Sequence, residues 1–244
     1  MVARILLIAG VLVVVATKPG AAATPEIDLA WDTCATTAAS GALYPTCDSN
    51  EPGITHRLAM TFRSEFAIPD YAGNSILMRI NADAHSVPDW WRIKSGECRS
   101  GSFVLPASTT GLGNTCTDLW TEHDTSGGFA VGYSGNRLEI RADFASADTL
   151  QVLAGVRYLA GVASMDMRHT VDDGSGDPVC AGCATATCLL LESVELFGWT
   201  PGEDYTIAFG TRQIVYWNYP GYGSDPCYVP TRNATWGAIK SMYR

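Results

Sequence analysis

Beyond its first residues the chain has no apolar run that could cross a bilayer as a helix, which takes about 20 residues. The longest run, Ile5 to Val15, spans 11 residues and is broken by Gly10. Positive charge is scarce too. Sixteen Lys and Arg stand against 25 Asp and Glu, for a formal charge of −9. That balance argues against a nucleic-acid surface, which needs a basic stripe. Several enzyme signatures are missing. There is no HExxH, and Gly132-Tyr133-Ser134-Gly135-Asn136 has Asn136 where a nucleophile elbow needs glycine. Ala184 follows Cys183, so covalent haem attachment is excluded. The four histidines (His56, His85, His123 and His169) are scattered and read as structural. Strands do not alternate with helices, which argues against a parallel α/β fold. No repeat or low-complexity linker divides the chain.

What the sequence does contain begins with a targeting segment. Arg4, the apolar run and Ala21-Ala22-Ala23 fit a signal peptide over residues 1–23. The mature domain is then a single unit over 24–244, secreted, periplasmic or at the envelope exterior, with no transmembrane span. Loss of Arg4 and Lys18 moves the charge from −9 to −11.

All eight cysteines (Cys34, Cys47, Cys98, Cys116, Cys180, Cys183, Cys188 and Cys227) lie in that mature part. An even count in an exported chain reads as a disulfide framework. Spacing predicts the local pairs Cys34–Cys47 and Cys98–Cys116, each stabilising the fold by roughly 3 kcal/mol through chain entropy. Cys180, Cys183, Cys188 and Cys227 then remain, with three pairings open. Cys180-Ala-Gly-Cys183 has the spacing of a redox pair, but such a pair belongs at a helix N-terminus, and a strand-like Leu189-Leu190-Leu191 follows here. Zinc held by Cys180, Cys183, Cys188 and either Cys227 or His169 has four suitable ligands, yet lacks a second C-x2-C unit. Structural disulfides are the preferred reading.

Twenty-four glycines and only 17% charged residues suit short strands with many turns. Leu58, Met60 and Phe62 alternate with Arg57, Thr61 and Arg63, which predicts a half-buried strand. Ile76, Met78 and Ile80 repeat the pattern. Phe129–Tyr133 and Arg137–Phe144 predict a hairpin around Ser134-Gly135-Asn136. Two internal glycines turn the reading of 156–169 from helix to strand, and further strands fall at 188–197, 206–209 and 212–218. Thr235 is a candidate N-cap for a short C-terminal helix placing Trp236, Ile239 and Tyr243 on one face. The expected fold is an all-β, disulfide-stapled antiparallel β-sandwich, jelly-roll-like, with that helix at its end.

Aromatic residues supply the candidate ligand contacts. Trp90 and Trp91 are adjacent, so in a strand one faces the core and the other faces out. Tyr216, Trp217, Tyr219 and Tyr222 crowd a second region, with Tyr228 nearby. Exposed rings of this kind stack on sugars or anchor protein interfaces. The acidic turn carrying Asp172, Asp173 and Asp177 is a candidate calcium site, although it lacks the spacing of an EF-hand loop. No other cofactor is indicated.

Trp31-Asp32-Thr33-Cys34, Pro88-Asp89-Trp90-Trp91, Cys98-Arg99, the Cys180–Cys188 cluster and the terminal Thr235–Arg244 segment form a series. That series resembles uncharacterised exported bacterial proteins over nearly the whole mature chain. The resemblance implies a bacterial source and an unmodified Asn233, and it brings no activity. Together these features predict a secreted structural or binding module whose partner is a glycan or another extracellular protein. The alternative is an extracellular glycan hydrolase, which needs a carboxylate pair that the sequence does not single out.

Overall fold

The computed structural model describes residues 23–34, 41–50, 54–106, 112, 117–200, 202, 204–208, 210, 212–221 and 227. Among them the chain forms strands β1 (Glu26–Trp31), β2 (Ala42–Leu43), β3 (Thr55–Arg63), β4 (Ile68–Ala82) and β5 (Phe103–Val104). It continues with β6 (Thr125–Ser134), β7 (Arg137–Val152), β8 (Arg157–Asp166), β9 (Thr187–Gly198), β10 (Tyr205–Ile207) and β11 (Ile214–Trp217). The expected C-terminal helix and the segment 1–22 lie outside the described residues.

The strands build two sheets. One has the order β1-β3-β8-β5; the other runs β2-β11-β9-β4-β7-β6, with β10 also on β9. Pairing between strands is antiparallel except for the short β2–β11 pair. The chain passes repeatedly from one sheet to the other, and the two faces share one hydrophobic core. Phe62 meets Tyr71 across the gap, and Trp31 meets Trp217. The protein is an all-β sandwich.

Sequence pattern explains the large sheet directly. In β7, Leu138, Ile140, Ala142 and Phe144 are buried while Glu139, Arg141 and Asp143 are exposed, as period-2 alternation demands. Each buried large apolar side chain contributes roughly 1.5–3 kcal/mol. The hairpin β6–β7 turns where expected, with Gly135 at φ 61°, a conformation glycine adopts without strain. Segment 157–166 is a strand, and Gly161 has a packing role there. A Cβ at that position would lie 2.9 Å from the Phe144 ring, so the glycine that weakens a helix admits the aromatic core.

Two expectations are corrected. β3 is not half-buried, since Leu58 to Phe62 are buried on both faces. The strand lies between β1 and β8, its outward residues Ala59 and Thr61 are small, and the Arg157 guanidinium bonds Thr61 Oγ1 at 3.0 Å. The disulfides also run differently. Cys47 bonds Cys183 and Cys98 bonds Cys180, across 136 and 82 residues. Cys188 bonds Cys227, Cys34 is disulfide-bonded as well, and Cys116 lies outside the described residues. Spacing favours local pairs because short loops close cheaply. Strand order overrides that preference: β2 lies beside β11 and β11 beside β9, which carries the Cys47 segment up to the cysteine cluster. No helix among the described residues is long and apolar enough to cross a membrane.

Candidate functional site

The expected tryptophan platform is a buried hub. Pro88 leads into a single 3-10 turn, Asp89–Trp91, instead of a strand, so Trp90 and Trp91 both point inward. They are 2% and 1% exposed, and Trp217 is fully buried. The Trp217 ring lies 5.9 Å from Trp31, 5.9 Å from Trp90, 5.6 Å from Trp91 and 5.5 Å from His56. Three of the four indole N–H groups donate to acceptors within the protein. Trp217 donates to the Cys183 carbonyl (2.7 Å), Trp91 to Thr187 Oγ1 (3.1 Å) and Trp31 to the Tyr216 carbonyl (3.2 Å). None of these rings is available to a ligand.

The disulfides fasten the same hub. Cys180 and Cys183 bond different partners, so they form no dithiol pair, and no described cysteine is left as a thiolate for zinc. The Arg99 guanidinium lies 3.5 Å from the centre of the Trp90 ring and donates to the carbonyls of Asp166 and Arg168. Burial lowers its pKa to about 10, against the raising effect of Asp166, so it stays charged at neutral pH. Burial also lowers the pKa of His56, opposed by Asp32.

The remaining expected residues are partly accessible. Tyr216 and Tyr219 stack at 4.8 Å, and the exposed Tyr44 donates its hydroxyl to the Tyr219 carbonyl. Tyr222 lies outside the described residues. Asp172, Asp173 and Asp177 are exposed. The first two carboxylates accept the N–H groups of Gly174 and Ser175, each at 3.0 Å. Hydrogen bonds from the Ser175 and Asn50 side chains hold Asp173 down to about 2. No three His, Cys, Asp or Glu side chains converge on a metal position among the described residues.

A different group of rings faces solvent, at the opposite end of β9. Phe66 and Tyr205 meet edge to face at 4.6 Å beside an open pocket of about 360 Å³ lined by Phe66, Ala67, Ile68, Pro69, Asp204 and Tyr205. The Tyr205 hydroxyl donates to Glu65 (3.1 Å). Trp199, 53% exposed, follows β9 and is tied to the start of β4, where its N–H bonds the Asp70 carbonyl at 2.9 Å. The Asp70 carboxylate holds Thr200 through both its N–H and its hydroxyl. Segments 64–70 and 198–206 carry four acids, Glu65, Asp70, Glu203 and Asp204, and no Lys or Arg. Rings with fixed carboxylates beside them can stack on an apolar ligand face while accepting hydrogen bonds from hydroxyls. Sequence reasoning missed Phe66, Trp199 and Tyr205. One signal was there: a large ring within the turn composition Gly198-Trp199-Thr200-Pro201-Gly202 has no strand in which to bury itself.

No protein-family model matches the chain, and no curated protein is similar to it. Solved structures offer distant likenesses. A type II cohesin domain from the cellulosome of Acetivibrio cellulolyticus is 11% identical over 80% of this chain and 95% of its own, with a TM-score of 0.38. The second type II cohesin module of the adaptor ScaA scaffoldin from the same organism is 13% identical over 85% and 98%, with a TM-score of 0.39. AvmM, which catalyses macrocyclization in alchivemycin A biosynthesis, is 12% identical over 82% and 91%, with a TM-score of 0.32. At such values the sandwich is assigned from this chain's own two sheets, and no partner or activity is transferred.

Proposed function

We propose that the protein is an exported binding module that takes a carbohydrate at the Phe66–Trp199–Tyr205 end. The disulfide framework supports an oxidising compartment outside the cytosol. The observation that carries the binding site is the Phe66–Tyr205 pair at its open pocket, with Glu65 on the Tyr205 hydroxyl and the exposed Trp199 bonded to Asp70, next in the chain to Pro69 of the pocket wall. Exposed rings stack on sugar faces, and the exposed Glu65 and Asp204 offer acceptors for sugar hydroxyls. Glycan hydrolysis is the second reading. It needs two acids on either side of the scissile bond, roughly 5–10 Å apart. At the Phe66–Tyr205 pocket the wall carries one acid, Asp204, and the neighbouring Glu65 is engaged by the Tyr205 hydroxyl. Binding is therefore the better supported of the two.

A glycan array probed with the wild-type protein, Trp199→Ala and Phe66→Ala tests the reading. A retained glycan class that both variants lose, at unchanged thermal midpoint, is the expected result. An empty array, or binding that both variants keep, overturns it. Release of reducing ends from a bound glycan would replace binding with hydrolysis.

A further inference from the structure

An exposed strand edge presents unpaired N–H and C=O groups, and soluble proteins guard long edges with charge, proline, a bulge or simple brevity. Most described edges here follow that rule. β2 and β5 have two residues each and β10 has three. β1 carries Glu26 and Asp28, and Arg212 lies alongside it, its carbonyl taking the Leu29 N–H at 2.8 Å. β6 has none of these guards. Its ten residues, Thr125-Ser-Gly-Gly-Phe-Ala-Val-Gly-Tyr-Ser134, include no charge and no proline. Its register with β7 is unbroken from Thr125↔Ser146 to Ser134↔Arg137. Residues 126–130, Gly132 and Ser134 are exposed. An unguarded edge of about 33 Å, at 3.3 Å per residue, is shaped to accept another strand.

We propose that this strand is β6 of a second copy, joined antiparallel across a two-fold axis so that the two large sheets become one. Both faces of the strand must match across the axis, which restricts the register. Two registers engage nearly the whole strand, one with Ala130 on the axis and one with Phe129. Charge decides between them. On the outer face Gly128, Ala130 and Gly132 lie opposite Asp143, Arg141 and Glu139 of β7. With Ala130 on the axis, Arg141 of each copy would share a row with its own equivalent. With Phe129 on the axis, Asp143 shares a row with Arg141 of the second copy, and symmetry repeats the row. These side chains then stand about 14 Å apart at the backbone, three strand spacings. Between them lie only Gly128 and Ala130, and a Cβ added at Gly128 would meet nothing within 4 Å. An arginine can lean across such a floor. On the inner face Phe129, 37% exposed and edge-on to Phe103 at 5.4 Å, gains its equivalent as a direct cross-strand neighbour.

Sedimentation velocity across micromolar concentrations tests this pairing independently of any glycan. The wild-type protein should form a reversible dimer. Ala130→Lys, which places a charge on the open edge, should be monomeric with unchanged circular dichroism and thermal midpoint. Gly132→Asp provides the same test should the first variant fold poorly. Arg141→Asp should weaken the dimer about tenfold by setting like charges in both rows, and Arg141→Asp/Asp143→Arg should restore it. A monomer at every concentration, a dimer indifferent to both edge variants, or a double variant as weak as the single one overturns the proposal.

Discussion

The two ends of β9 hold aromatic residues in opposite ways. At its start Thr187 pairs with Trp217, and four indoles, His56 and Arg99 interlock beside two disulfides. At its finish Gly198 gives way to the exposed Trp199, and β10 beside β9 carries Tyr205 against the exposed Phe66. The same residue types are buried at one end and partly exposed at the other. What separates them is where the polar edge of each ring finds its partner. At the locked end most indole N–H groups are consumed by carbonyls and hydroxyls of the protein. At the open end the polar edge of Tyr205 meets the exposed Glu65 carboxylate, an acceptor with several lone pairs.

That contrast can be broken by mutation. Trp217→Ala removes the shared ring of the hub and should cost about 3–5 kcal/mol, read as a lower urea midpoint. Trp199→Ala should cost less than about 0.5 kcal/mol, and equal costs would erase the distinction between the ends. Next in size, Cys98→Ser with Cys180→Ser should cost about 2–5 kcal/mol, because the bond closes a long loop beside the hub. The smallest effect is a pH dependence. Burial lowers the His56 pKa below its ordinary 6.5, so the folded state takes up its proton less readily than the unfolded one. The associated stability is present above pH 6.5 and is lost as pH falls through and below that value. Urea midpoints at pH 7.5 and pH 5 should converge somewhat in His56→Gln relative to wild type; an unchanged difference would mean that His56 does not report on the hub.

Local chemistry was legible in the sequence, and assembly was not. The β6–β7 hairpin follows from Ser134-Gly135-Asn136, and the alternation in β7 shows which face is buried. Trp90 and Trp91 were misread because alternation assumes an extended backbone, whereas the turn after Pro88 directs both rings inward. The cysteine pairs were misread because spacing measures loop closure and says nothing about strand order. Phe66 lies in the β3–β4 turn and Tyr205 on β10, far apart in sequence, and the two rings meet only once β4, β9 and β10 are side by side.

The connectivity of the disulfides bears on timing. Cys47 waits 136 residues for Cys183, and Cys98 waits 82 for Cys180. As the chain emerges, Cys34 and Cys47 are neighbours long before Cys183 exists, so an oxidant acting early would close the wrong loop. Such a protein depends on exchange through mixed disulfides to reach its native bonds, and its yield in an oxidising compartment should follow the supply of an isomerase more than that of an oxidant.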